Sequence, residues 1–328
     1  MQQRSMRQWW VVPGPTGGRS ELRTVDVPSP GPTEVVVEVR ASAINRGELI
    51  GRPHLVSSNP KARPAPSGIE FAGVIAEVGS EVTGHRPGQS VMGRGTACHA
   101  DFTAIDHRAL MTIPAGLSFD EAAAIPNVFV TAHDAMVTTA GLAAGQSVLV
   151  TAGSSGVGTA AIQIGRYLGA GSIIATTRSP DKAAALGRLG ATEVVDTREG
   201  GWADRLSRDG GVDVVIDQVG GDLFRPALDA MAIGGRYVTV GRNGGREATI
   251  DLDLVARKRL SLFGVTFRTR SAEEALACSH RFARDLLPGF DDGSLKPVVD
   301  RRFALDALPD AHEYMAGDQQ LGKIVLVS

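Results

Sequence analysis

Two textures of apolar and polar positions alternate along the chain. Up to about Ile125 the apolar runs are short and β-branched: EVVVEVR at Glu34–Arg40, FAGVIAEV at Phe71–Val78, and Phe102–Ile105. Turn-rich stretches at Pro28–Pro32 and Gly84–Gly88 separate them, which predicts strands of a small, mostly β domain. From about Pro126 short apolar strands recur near Val148, Ile173, Val194, Val214 and Val238, at intervals of 25, 21, 20 and 24 residues. That interval suits a strand, a helix and two short loops. Val157, Ala160, Ala161, Ile164 and Leu168 fall on one stripe at helical spacing. Continuous runs such as Val148–Val150 and Val214–Ile216 predict a parallel sheet covered on both faces, closed by a last strand at Leu260–Val265. The tail predicts a helix over Ala272–Leu287 and a strand over Lys323–Val327. The expected fold is therefore α/β: a parallel sheet beginning after about Pro126, inserted between two parts of a mostly-β domain, the second of them the tail Thr266–Ser328.

Composition narrows the function classes. A formal charge of −2, from 34 basic and 36 acidic residues, removes a global case for nucleic-acid binding. No run of 18 apolar residues exists, so no membrane span is expected. Met1–Trp10 is polar where a secretory leader is apolar, and two cysteines make no disulfide framework; both point to a cytoplasmic protein. Glycine is in excess, 40 of 328 residues, and 21 of the 40 lie within residues 141–245.

That excess centres on a turn. Ser147–Thr151 runs into Gly153-Ser-Ser-Gly156-Val-Gly158 and then into the helical stripe. A strand, a small-residue turn and a helix N-terminus form the setting in which backbone N–H groups approach a pyrophosphate. Ser154, Ser155, Gly156 and Val157 are the candidate phosphate-side residues, with Ser155 in the place of the usual second glycine. It either admits a close phosphate or bonds it. An ordinary βα turn is the plain alternative. A hydrolase elbow fails, because Val157 stands where G-x-S-x-G needs glycine. A Tyr-x-x-x-Lys pair cannot be built from Tyr167, Tyr237 or Tyr314. The second strand of this domain ends Ala175-Thr-Thr-Arg-Ser179 without a carboxylate. Thr177, Arg178, Ser179 and Lys182 instead suit a 2′-phosphate, so the expected cofactor is NADPH. The histidines are scattered and no C-x-x-C occurs, so no metal site is expected; Cys98 and His99 on one strand would face opposite ways.

The chain resembles the zinc-independent medium-chain dehydrogenase/reductases, in the quinone oxidoreductase and enoyl reductase branch. Asn45-Arg-Gly-Glu48 is similar to the family's N-x-x-D, and Gly68-Ile-Glu-Phe-Ala-Gly73 to its G-x-E-F-A-G. Ala122–Ala135, Thr151–Gly158, Val212–Gly221, Gly234–Gly241 and the ending Gly322-Lys-Ile-Val-Leu326 follow in the family's order. Ile69 stands where zinc-dependent relatives have histidine. The resemblance implies a GroES-like, mostly-β catalytic domain of 1–127 and 267–328 around a doubly wound Rossmann domain of 128–266, a cofactor in the cleft between them, and a homodimer through Leu260–Val265. It implies that Asn45, Thr131 and Arg242 act at the reacting end, and that Gly241, Arg242, Asn243, Gly264 and Val265 border the nicotinamide. Structural alternatives stand beside these: Asn45 ordering a loop, Thr131 capping a helix.

Departures bear on the proton donor. The family's tyrosine positions are occupied by Leu49 and Ile50, by His133, and by Thr197. His133 is a donor by chemistry, or a packed histidine. The resemblance implies an NADPH-dependent reductase passing hydride to a quinone or α,β-unsaturated carbonyl, with a small-molecule substrate and no nucleic-acid or membrane partner. The alternatives are a biosynthetic reductase for a carrier-bound substrate, with Ser57–Pro66 as its determinant, and a non-catalytic NADPH-binding sensor or scaffold.

Overall fold

The run EVVVEVR has valines facing both ways, and Val35, Val36, Val37 and Val39 are all buried. A strand with no polar face needs cover on both sides, and the computed structural model supplies it. The structure describes residues 4–13, 18–49 and 63–328. It divides into two units, Met1–Asn127 with Pro297–Ser328, and Val128–Lys296. Among the described residues no helix is long and apolar enough to cross a membrane.

The first unit opens with strands β1 (Ser5–Val12), β2 (Arg19–Asp26), β3 (Glu34–Ala43), β4 (Ala65–Pro66), β5 (Glu70–Val78), β6 (Ser90–Arg94), β7 (Phe102–Asp106) and β8 (Leu110–Thr112). β3 is central, pairing antiparallel with β5 and β7, while β1 carries β2 and β4 in a separate small sheet. Val35, Val37, Val39, Phe71, Ile75, Val91 and Ile105 form one core.

In the second unit β9 (Ser147–Val150), β10 (Ser172–Thr177), β11 (Glu193–Asp196), β12 (Val212–Asp217), β13 (Met231–Thr239) and β14 (Ser261–Gly264) form one parallel sheet. Its order is β11-β10-β9-β12-β13-β14, the 3-2-1-4-5-6 winding of a dinucleotide-binding sheet, whose chain reversal beside the first strand opens a crevice at the strand ends. All six strands expected from the apolar runs are present. The helix after β9, Gly156–Tyr167, buries Ala160, Ala161 and Ile164 of the expected stripe, while Val157 and Leu168 at its ends are half-buried.

The helix Ala272–Asp291 begins with a reciprocal cap: Ser271 Oγ accepts from Glu274 N, and Glu274 Oε2 accepts from Ser271 N. It runs past the expected end at Leu287 and packs into the second unit. The Phe290 ring meets Phe129 edge-on at 4.8 Å, and Gly289 lies against Tyr167. The expected return to the first domain at residue 267 is thus a return at Pro297, because this helix buries its apolar side where the inserted unit offers aromatic rings. The first unit closes with β15 (Val299–Ala304) and β16 (Lys323–Val327); β16 lies between β15 and β3.

Two glycines test the packing of the turn and helices. A Cβ on Gly158 would stand 2.4 Å from the Ala152 carbonyl oxygen, whereas one on Gly187 in the helix Ala183–Leu189 meets nothing within 4 Å. Gly187→Ala is expected to stabilise by about 0.5–1 kcal/mol through helix propensity. Gly158→Ala is expected to destabilise by about 1–3 kcal/mol through overpacking. Urea unfolding decides; equal shifts of the same sign would show that backbone approach does not govern the turn.

Candidate active site

The turns that follow the strands of the parallel sheet lie along one edge. Val150 is level with Ala175 and Ile216, Asp217 with Thr239, Thr239 with Gly264, and Thr177 with Asp196. The sequence-predicted cofactor residues therefore come together: Ser154–Val157 after β9, Arg178–Lys182 after β10, Gly241–Asn243 after β13, and Gly264–Val265 at the end of β14. Val265 is buried, its N–H donating to the Thr239 carbonyl.

The edge is organised by Asp217, fully buried at the end of β12. Its Oδ1 accepts from Thr151 Oγ1 (2.7 Å) and Val219 N (2.9 Å), and its Oδ2 from Tyr237 Oη (2.6 Å) and Gly220 N (2.9 Å). Burial, with the Asp217 charge beside it, holds the Tyr237 phenol protonated far above its ordinary range. The neighbouring Gln218 continues the network. Its Nε2 donates to the Thr151 carbonyl (2.9 Å), and its Oε1 accepts from Ser155 Oγ (2.6 Å). Ser155 Oγ also accepts from Gly158 N (3.0 Å), capping the helix. The Ser155 hydroxyl is thus committed to the protein, and its place in the motif is explained by capping. Ala152 takes a left-handed φ of +48°, a strained conformation for a residue with a Cβ.

Around the 2′-phosphate candidates, the buried Thr177 accepts from Ser179 N through Oγ1 (3.0 Å), which shapes the turn. Arg178 is exposed, and Ser179 and Lys182 are half-buried. Asn243 Nδ2 donates to the Gln218 carbonyl (3.0 Å), and Arg242 is exposed. Thr131 is buried in the helix Pro126–His133, five residues after its start, so it does not cap that helix. His133 is packed: Nε2 bonds Asp285 (2.9 Å) and the ring meets Phe282 edge-on. Burial pushes its pKa down against the opposing pull of Asp285.

In the first unit the structure gathers around Asn45, a residue the resemblance places at the reacting end, several side chains to which the sequence reading gave no role: Glu48, Glu70, Asn127 and Lys323. Asn45 Nδ2 donates to Glu70 Oε1 (2.8 Å) and the Ala43 carbonyl (3.2 Å). Asn45 Oδ1 accepts from Asn127 Nδ2 and Lys323 Nζ, both at 2.8 Å. The Asn45 side chain therefore spends its whole hydrogen-bonding capacity on protein partners. Its backbone N–H donates to Glu48 Oε1 (2.8 Å), and Glu48 Oε2 accepts from His99 Nε2 (3.0 Å) and His312 Nε2 (3.1 Å). Burial opposes ionisation of Glu48, yet the two imidazoles outweigh it and hold the carboxyl below its usual range. The signal for Glu70 and Lys323 was a charge inside an apolar run. Cys98 and His99 sit in the bend between β6 and β7 rather than on a strand; His99 Nδ1 pairs with Ser42 Oγ (2.9 Å). Of the segment Ser57–Pro66, residues 57–62 lie outside the described residues, as does Ile50.

Residues 31–135 match the family described as "Alcohol dehydrogenase GroES-like domain", and residues 156–281 match "Zinc-binding dehydrogenase". Over 97% of its length the chain is 34% identical to the spectinabilin polyketide synthase system protein NorB of Streptomyces orinoci, spanning 14% of that protein. It is 30% identical to the quinone oxidoreductase of Homo sapiens over 92% of each chain. A crystal structure described as an NAD-dependent alcohol dehydrogenase superposes with a TM-score of 0.86 at 30% identity, over 98% of this chain and 99% of that one. The chain belongs to the medium-chain dehydrogenase/reductases, and within them to the quinone oxidoreductase and enoyl reductase branch. Although the second description names zinc, no group of three or more His, Cys, Asp or Glu among the described residues is set to hold a metal ion.

The lowered Glu48 pKa gives a pH prediction. A depressed folded-state pKa stabilises the fold fully above the ordinary glutamate range and less as pH falls through it. Glu48→Gln is expected to cost about 3 kcal/mol at pH 7, with the gap to the native chain narrowing below about pH 4. Urea unfolding at pH 7, 5 and 3.5 checks this; a gap that holds or widens on acidification would refute it.

Proposed function

We propose that the protein is an NADPH-dependent reductase of a conjugated acceptor, a quinone or an α,β-unsaturated carbonyl compound. The observation that carries the reading is the single edge of the parallel sheet holding the glycine-rich turn, the Arg178–Lys182 turn and Gly241–Asn243. The fit to a dinucleotide rests on side-chain-free backbone. A Cβ on Gly153 would stand 2.9 Å from the Ala175 Cβ, and one on Gly241 2.4 Å from the Gln218 carbonyl oxygen. Both clashes are with the protein itself, so these glycines keep the turns tightly packed, and the helix N-terminus that follows Gly153 is of the kind that suits a pyrophosphate. When bound, NADPH supplies a hydride from its nicotinamide ring.

The chain's own residues bind and orient. Backbone groups of Ser154–Val157 hold the pyrophosphate, and Arg178, Ser179 and Lys182, with the turn fixed by Thr177, hold the 2′-phosphate. Thr131, Gly241, Asn243, Gly264 and Val265 border the nicotinamide. Arg242 stabilises the negative charge that develops on the acceptor oxygen; the proton that completes the reduction comes from water. Asn45 serves the acceptor site through its own fixed position. Relatives named quinone oxidoreductase favour a free quinone or enone. The match to NorB favours a second reading, in which the acceptor is a carrier-bound biosynthetic intermediate. Both cysteines are free and buried, in keeping with a cytoplasmic setting.

We expect NADPH to bind at least tenfold more tightly than NADH, a difference of about 1.4 kcal/mol. Arg178→Ala should remove most of that preference and leave NADH binding unchanged. Calorimetric titration of both cofactors tests it, and equal or tighter NADH binding would overturn the assignment. NADPH oxidation with 1,4-naphthoquinone, trans-2-hexenal and a crotonyl thioester separates the acceptors. Tight binding with no turnover would leave a cofactor-binding module instead of a reductase.

The proposal includes a homodimer through β14. Among the described residues no strand pairs with its edge away from β13, and Leu262 and Phe263 are 39% and 40% exposed. An open apolar edge invites a second strand. Sedimentation should give a dimer, and Phe263→Asp a monomer; a monomeric native chain would refute it.

A further inference from the structure

Four sequence motifs that lie far apart in the chain meet at one buried point in the first unit. Asn45 comes from N-x-x-D, Glu70 from G-x-E-F-A-G, Asn127 from the segment Ala122–Ala135, and Lys323 from the ending Gly-Lys-Ile-Val-Leu. Glu70 is fully buried and Lys323 is 3% exposed. The ammonium of Lys323 donates to Glu70 Oε1 (2.8 Å), Asn45 Oδ1 (2.8 Å) and the Ile44 carbonyl (2.6 Å). Glu70 Oε2 accepts from the backbone N–H of Asn127 (2.7 Å), and Asn127 Oδ1 accepts from Arg94 Nη2 (3.0 Å).

We infer that Lys323 and Glu70 are positioning residues that fix which way the Asn45 side-chain amide faces. An amide can turn over and exchange its oxygen for its nitrogen, so something must choose. A lysine ammonium only donates and a carboxylate only accepts. Lys323 therefore holds the Asn45 oxygen and Glu70 its nitrogen, and the reverse orientation sets like against like at both contacts. The pair is buried, so each charge also stabilises the other, and removing one partner strands its mate. The inference rests on Asn45 belonging to the acceptor site, as proposed above, in its consequence for turnover. Its structural half does not.

The test separates charge balance from orientation. Lys323→Met or Glu70→Gln alone leaves an uncompensated charge and is expected to lower Tm by roughly 10 °C or to prevent folding. The double variant Glu70→Gln/Lys323→Met removes both charges and should regain most of the native Tm. It should nonetheless lose between ten- and a hundredfold in kcat for 1,4-naphthoquinone, with the KM for NADPH within about threefold of native. The chain has four asparagines, so selective ¹⁵N-asparagine labelling resolves the Asn45 side-chain amide, assigned by its loss in Asn45→Ala. Its protons should exchange slowly in the native chain and at least tenfold faster in the double variant. If kcat returns together with Tm, or if exchange is unchanged, positioning is refuted. If the native chain reduces no acceptor, the proposed function fails, and the exchange measurement still decides the role of the pair.

Discussion

The buried carboxylate of Asp217 is the constraint on which the second unit's working edge depends. A charge placed there without partners would be very costly, and among the described residues no cation pairs with it. Four donors do so instead: one from the turn after β9, one from β13, and two from the backbone that follows β12 itself. A charge-assisted bond is worth about 1.5–3 kcal/mol, so the set is stable only while all four donors stand in place. Meeting that condition fixes the ends of three neighbouring strands at one level. Gln218 and Ser155 then transmit the arrangement to the first turn of the helix Gly156–Tyr167.

The first unit solves the same problem differently. Glu70 is matched by an ammonium rather than by neutral donors alone, and the pair is threaded with two asparagine amides. Both solutions bury an acidic residue at one end of a mostly apolar strand, and both use it to hold something other than itself. The contrast also explains the tolerance expected of each. Asp217 relies on exact donor geometry, whereas Glu70 and Lys323 rely first on charge balance.

Much of the fold was legible because parallel strands covered on both faces leave continuous apolar runs. β9, β10, β12 and β14 stand where those runs are, and the glycine-rich turn stands where the strand gives way to a helical stripe. β2 was not legible. Its residues Arg19–Asp26 alternate between half-buried and exposed without an apolar run, since they pair only with β1 in a small sheet. The chain's return to the first unit was misplaced by some 30 residues, because the Ala272–Asp291 helix has an amphipathic face that does not say which partner it covers. The site divided in the same way. The turn after β9 and the carboxylate-free turn after β10 could be named as neighbours on one edge, since their signals are local and the sheet order brings them together. Asn45 was visible as a motif, but its saturation by Glu70, Asn127 and Lys323 was not, because the partners lie 25, 82 and 278 positions away.

That separation has a consequence for how the molecule is made. The strand β16, which delivers Lys323, follows the whole inserted unit in the chain and so is synthesised after it. Until then the pocket around Glu70 holds a carboxylate with no ammonium beside it, and β3 lacks its neighbour on that side. The pairing of β16 with β3 is therefore a contact of long sequence separation, the kind that is slow to form in folding. A chain that stops short of Lys323 carries a permanent defect at its centre. The buried ion pair thus ties the first unit's early strands to a strand that lies beyond the inserted unit.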